Sequence, residues 1–210
     1  MSDLLNLILS IGATAFMAFV ALFLILLEDT RNQINKHKNI HKYCKENDIE
    51  IIRNKLIVGD YMLPNVSNIS IDTKFGLQEI MKNITEKRFR NELLLSKKLG
   101  IKLIVLIENS SDINSIDEIP LKWKNQRLEF YKFQLKKQLG LFGEFNEWYL
   151  YREAKEKGLK PRKPPQSPEQ LRKALHTIED NKEEYDVSFK FCSKTETGQK
   201  ILELLLKGEA

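Results

Sequence analysis

The chain has 210 residues, 42% hydrophobic and 30% charged, enough for one core of ordinary size and too few for several large domains. Its net charge of +5 and pI near 9.0 suit a nucleic-acid partner, although many cytosolic proteins are equally basic, and no internal repeat or low-complexity tract is evident. The two cysteines, Cys44 and Cys192, form no CxxC pair, which leaves free buried thiols in a reducing cytosol as the simple reading.

In chain order, residues 4–27 carry no charge. A central strand is expected over residues 23–27, which leaves 4–21 as an apolar helix. That helix either spans a membrane, with Arg31, Lys36, Lys38 and Lys42 holding the rest on the cytoplasmic side, or packs as a leader on the domain. A start at Met17 is the third reading. The segment lacks the basic flank and cleavage site of a signal peptide. Residues 35–45 read as a helix with Ile34, Ile40, Tyr43 and Cys44 as its apolar stripe, and its His37 and His41 are expected on a solvated face rather than in a zinc site. Residues 49–62 read as a strand pair or one bent strand, and 64–68 as a turn.

Residues 69–74, Ile-Ser-Ile-Asp-Thr-Lys, read as the strand that carries chemistry. Asp72 and Lys74 lie two apart and so share a face. Asp60 closes the apolar run 55–58, with eleven residues between it and Asp72. Two carboxylates and an ammonium on neighbouring strands fit the PD-(D/E)xK pattern of metal-dependent nucleases, in which a divalent cation activates water and neutralises phosphate charge. Helices follow over 77–84 and 87–99, the second closed by Gly100, and then a strand over 101–107, apolar almost throughout and so expected to be covered on both faces. Residues 109–121 read as polar loop with room for one short turn. Residues 129–163 mix eight aromatics with Lys136, Lys137, Arg152, Lys155 and Lys157, forming helices whose aromatics either build a local core or stack on single-stranded nucleic acid. An exposed linker, 160–165, ends that region. Ser167-Pro168-Glu169-Gln170 opens the next helix with a capping box. A strand over 187–192 and a helix over 199–206 complete an α/β order.

Several motifs together resemble the nuclease domain of the XPF family of structure-specific DNA endonucleases, particularly small phage-type members. Leu26-Leu27-Glu28-Asp29-Thr30-Arg31-Asn32 is similar to the family's Asp-x-Arg-Glu, Gly59-Asp60 to its Gly-Asp, and Ile71-Asp72-Thr73-Lys74 to its Glu-Arg-Lys. Lys87-Arg88-Phe89 and the strand 101–108 follow in the family's order, and the resemblance covers 23–128 and 168–206. It implies a restriction-endonuclease-like mixed sheet flanked by helices, interrupted by a helical insertion at 129–166. It implies Mg²⁺, with Mn²⁺ able to substitute, held by Asp60, Asp72 and the Thr73 carbonyl, with Asp29 as a third ligand or an outer acceptor. Capping of the next helix is the other reading of Asp29. Lys74 is the expected catalytic lysine, and Arg31 and Arg88 the expected DNA contacts; Arg31 is equally read as an anchor for Asp29.

The expected substrate is branched or structured DNA in repair, recombination or replication, the expected location cytoplasmic, and the expected assembly a homodimer. The family's Glu and last Asp fall on Asn32 and Gln78, which leaves a DNA-binding relative without turnover as one alternative. A membrane-tethered interaction module is the other.

Overall fold

The computed structural model describes residues 24–33, 37–64 and 68–207. The apolar segment 4–21 lies outside them. Among the described residues no helix is long and apolar enough to cross a membrane.

Six strands form one mixed sheet: β1 (Ile25–Asp29), β2 (Glu50–Asn54), β3 (Tyr61–Met62), β4 (Ile69–Lys74), β5 (Lys102–Glu108) and β6 (Val187–Cys192). Their order is β2-β1-β3-β4-β5-β6. β3 runs antiparallel to its neighbours β1 and β4, whereas β4, β5 and β6 are parallel. Residues 49–62, read as a strand pair or one bent strand, form two strands that do not pair with each other. β2 pairs parallel with the outer edge of β1, and β3 lies on the other side of β1, so the N-terminal strand separates them.

β5 contributes to both hydrophobic cores. Leu103, Ile104, Val105, Leu106 and Ile107 are fully buried, each stabilising by roughly 1.5–3 kcal/mol. Alternate residues meet different layers, as a strand's period requires. Leu103, Val105 and Ile107 pack with α2 (Leu77–Asn83), α3 (Lys87–Lys98) and α7 (Pro168–Asp180). Ile104 and Leu106 pack with α1 (Lys38–Glu46) and α8 (Thr197–Lys207). The result is helices on both faces of the sheet, and the uninterrupted apolar run in β5 follows from that double cover.

Helix ends follow local chemistry. Gly100, at φ +66°, closes α3: its amide donates to the Lys97 carbonyl, and the Ile101 amide donates to that of Ser96. These are the two bonds of a Schellman cap. The capping box of α7 is complete, with Gln170 N donating to Ser167 Oγ at 3.2 Å and Ser167 N to Gln170 Oε1 at 2.9 Å. The loop expected at 109–121 is more ordered than its polarity suggests. A 3₁₀ turn (Ile116–Glu118) runs into α4 (Ile119–Lys122), because Ile113, Ile116 and Ile119 are buried against the core.

Two histidines depart from expectation. His37, just before α1, is buried between Tyr61 and Phe75, with ring centroids 5.5 and 5.4 Å away. His41 sits 3.0 Å from the buried Glu28 carboxylate, which also accepts from the Tyr61 hydroxyl at 2.9 Å and lies 3.2 Å from Arg53 Nε. A buried carboxylate on β1 draws both His41 and Arg53 to it, so this face of α1 is not simply solvated. Cys44 and Cys192 are both free and buried, and burial pushes each thiol up to about 11.

Between α4 and α7 the chain leaves the sheet as two helices, α5 (Gln126–Leu139) and α6 (Glu147–Glu156). They pack on each other around Leu135, Leu139, Leu150 and Ala154, with Tyr131, Leu141 and Phe145 at the margin.

Candidate functional site

The chain reverses at Gly59-Asp60 to place a carboxylate beside the end of β4. Gly59 has φ +71°, and a Cβ there would lie 2.2 Å from Ser70 Oγ and 3.0 Å from the Ile71 carbonyl oxygen. Only glycine combines that backbone with so close an approach. The Gly59 amide donates to Glu92 Oε1 of α3 at 3.0 Å, and Asp60 N donates to the Ile71 carbonyl at 2.7 Å. Asp60 Oδ2 in turn accepts from Thr73 N at 2.9 Å and Thr73 Oγ1 at 2.6 Å. The first carboxylate is therefore fixed to the strand that carries the second.

On β4 the alternation that turns Ile71 toward α1 and α8 turns Asp72 and Lys74 toward α2 and α3. Both are buried, and Lys74 Nζ donates to Asp72 Oδ1 at 2.6 Å. The same ammonium lies 2.5 Å from Oδ2, so both carboxylate oxygens face it. The ammonium also stands 5.9 Å from the centroid of Phe89. Burial, reinforced by Asp60 and Glu92 and opposed by Lys74, pushes the Asp72 carboxyl up to about 7. For Lys74 burial works downward, but Asp72, with Asp60 and Glu92 behind it, raises it above the usual range.

Asp29 closes β1. Its Oδ1 accepts from Arg31 N at 2.8 Å, an Asx turn, and both its oxygens accept from the Arg31 guanidinium. Burial pushes this carboxyl up, yet Arg31 outweighs burial and holds it below the usual carboxylate range. Arg31 also donates to the Leu56 carbonyl at 3.0 Å and keeps half of its side chain exposed. Among the described residues Asp29 caps no helix, and α1, from Lys38, has His37 at its N-cap position.

These groups line one cleft of about 320 Å³ at the carboxyl ends of β1 and β4. It brings together Asp29, Arg31, Asp60, Asp72, Thr73, Lys74 and Arg88, every candidate the sequence singled out. Arg88 is exposed at the cleft on α3. Gln78 faces elsewhere, donating to Asn125 Oδ1 at 2.7 Å. Asn32 and Glu79 line the cleft, Glu79 accepting from Phe75 N at 2.7 Å. Sequence reasoning missed Glu92, which belongs to the cleft and is tied to Gly59. The signal was there: Glu92 lies one helical turn after Arg88 and so shares its face.

The donor set suits a hard divalent cation. Asp60 and Asp72 are oxygen donors whose mutual repulsion a cation would relieve. Among the described residues no three His, Cys, Asp or Glu side chains are grouped to hold a metal ion. Two carboxylates completed by water and phosphate oxygens are what Mg²⁺ accepts.

No family model matches the chain, and no curated protein matches it. Among solved structures it is similar to XPF from Aeropyrum pernix, with 13% identity and a TM-score of 0.46 over 88% of this chain and 66% of that one. It is also similar to that protein in complex with DNA, at 13% identity and a TM-score of 0.43 over 87% and 63%. The matched length is in both cases just under two thirds of the relative.

Proposed function

We propose that the chain is a Mg²⁺-dependent DNA endonuclease that hydrolyses phosphodiester bonds in branched or structured DNA. The observation that carries this reading is the convergence of Asp60, Asp72 and Lys74 in one cleft, with Arg31 and Arg88 on its walls. The motif order resembling the XPF nuclease domain supports it.

Asp60, Asp72 and the Thr73 carbonyl would hold the cation, with Asp29 behind them as an outer acceptor that positions Arg31. When bound, the cation supplies an acidified water and neutralises charge on the phosphate. Lys74, fixed by Asp72 and Phe89, orients the attacking water and offsets charge that builds on the phosphate oxygens. Arg31 and Arg88 hold flanking phosphates, and Thr73 keeps Asp60 in place through its amide and hydroxyl.

The test is cleavage of a panel of forked, flapped and linear DNAs with Mg²⁺ and with chelator, comparing wild type with Asp60→Ala and Lys74→Ala. Both variants are expected to lose cleavage by about 100-fold or more while retaining wild-type circular dichroism. Undiminished cleavage by both discards the assignment.

A further inference from the structure

The insertion carries a charge and a surface that the nuclease cleft does not use. Residues 126–166 contain ten Lys and Arg against five Asp and Glu. Their net charge equals that of the entire 210-residue chain, so the remainder of the molecule nets to zero.

Every exposed large aromatic among the described residues also lies here. Phe142 is 93% exposed, Phe130 63% and Phe133 58%, and Trp148 and Tyr149 are exposed too. These rings are not needed to hold α5 against α6, because Leu135, Leu139, Leu150 and Ala154 already form that contact. Exposing such rings without return is unfavourable, which marks the surface as one that something covers.

Helical spacing interleaves the two kinds of side chain. On α5, Arg127, Phe130, Phe133 and Lys137 fall on one face; on α6, Trp148, Tyr151, Arg152 and Lys155 do. Trp148 stands edge-on to Tyr151 at 5.8 Å, and Lys155 Nζ lies 5.5 Å from the Tyr151 centroid. Rings at one-turn spacing with cations between them match bases and phosphates that alternate along a single strand.

The roots of the insertion are pinned to α2, a helix that also reaches the cleft. Asn125, the cap of α5, is buried, and its Oδ1 accepts from Arg127 N and from Gln78 Nε2. Its Nδ2 donates to the Gln166 carbonyl at 2.7 Å, so one side chain joins both roots of the insertion to α2. The residue after Gln78, Glu79, lines the cleft.

We propose that the exposed faces of α5 and α6 bind single-stranded DNA and grip an unpaired arm of the substrate. The choice of DNA over another polyanion rests on the nuclease reading; the surface itself does not.

The test measures anisotropy of a labelled oligo-deoxythymidine of about 20 nucleotides, spanning a typical single-strand site, with the full chain in chelator. Phe133→Ala/Trp148→Ala is expected to weaken binding by about tenfold or more. Arg152→Gln/Lys155→Gln is expected to lower the slope of log affinity against log salt by roughly 1.4. All four side chains lie outside the core, so both variants should keep the wild-type melting curve. Mg²⁺-dependent cleavage of the DNA panel is recorded separately on wild type, so a failed nuclease reading and a failed insertion reading give different results. The proposal falls if wild type does not bind the strand, or if both insertion variants bind it unchanged. It falls equally if Phe133→Ala/Trp148→Ala leaves binding intact but converts a dimer to monomer in sedimentation, which would make a second copy the occupant.

Discussion

The amide of Gly59 donates to the Glu92 carboxylate at 3.0 Å, so the turn carrying Asp60 is tied to the same helix that brings Arg88 and Phe89 to the cleft. Strand end and helix are thereby set relative to each other by one hydrogen bond and one residue that has no side chain.

Gly59→Ala is expected to lose about 2 kcal/mol or more of stability. A non-glycine residue at positive φ accounts for roughly 1–2 kcal/mol, and the new Cβ would strike Ser70 Oγ. Urea unfolding checks the loss. Asp60 should move with the turn, so cleavage should fall further than stability predicts.

Asp72 and Lys74 should respond asymmetrically to truncation. Asp72→Ala leaves a buried ammonium without its partner, at about 3 kcal/mol. Lys74→Ala is milder, because Asp72, already pushed up to about 7, can keep its proton and become neutral. The double variant should therefore lose less than the sum of the two, by about 1 kcal/mol or more. Equilibrium unfolding of the four proteins closes the cycle; additive losses would mean that the pair is not coupled.

The same carboxyl gives a pH signature. Its folded value of about 7 lies above the ordinary 3.8, so in the metal-free chain it binds a proton on folding between those values. Its contribution to stability is thus fully present below about pH 4 and is lost as pH rises through about 7. Asp72→Asn should flatten that decline. Because a cation needs the carboxylate ionised, Mg²⁺ should raise the melting temperature more above pH 7 than below it. Melting curves across that window, with and without Mg²⁺, measure both effects.

What could be read ahead of the structure was what depends on neighbours in the chain. The face shared by Asp72 and Lys74, the Ser167–Gln170 box and the Gly100 stop are all fixed by spacing of four residues or fewer. Double cover of β5 followed from its composition. Pairing was less legible: β2 and β3 flank β1, and nothing local to residues 49–62 records that a distant strand separates them. Burial of His37 depends likewise on Tyr61 and Phe75. Glu92 escaped notice because its partner is a backbone amide more than thirty residues away, although its helical register with Arg88 was visible.

Asn125 has a consequence for how such a chain can vary. Because departure and return of the polypeptide meet at one amide side chain, whatever hangs beyond that clasp is topologically a pendant. Lengthening, trimming or repainting it should leave the strand ladder untouched.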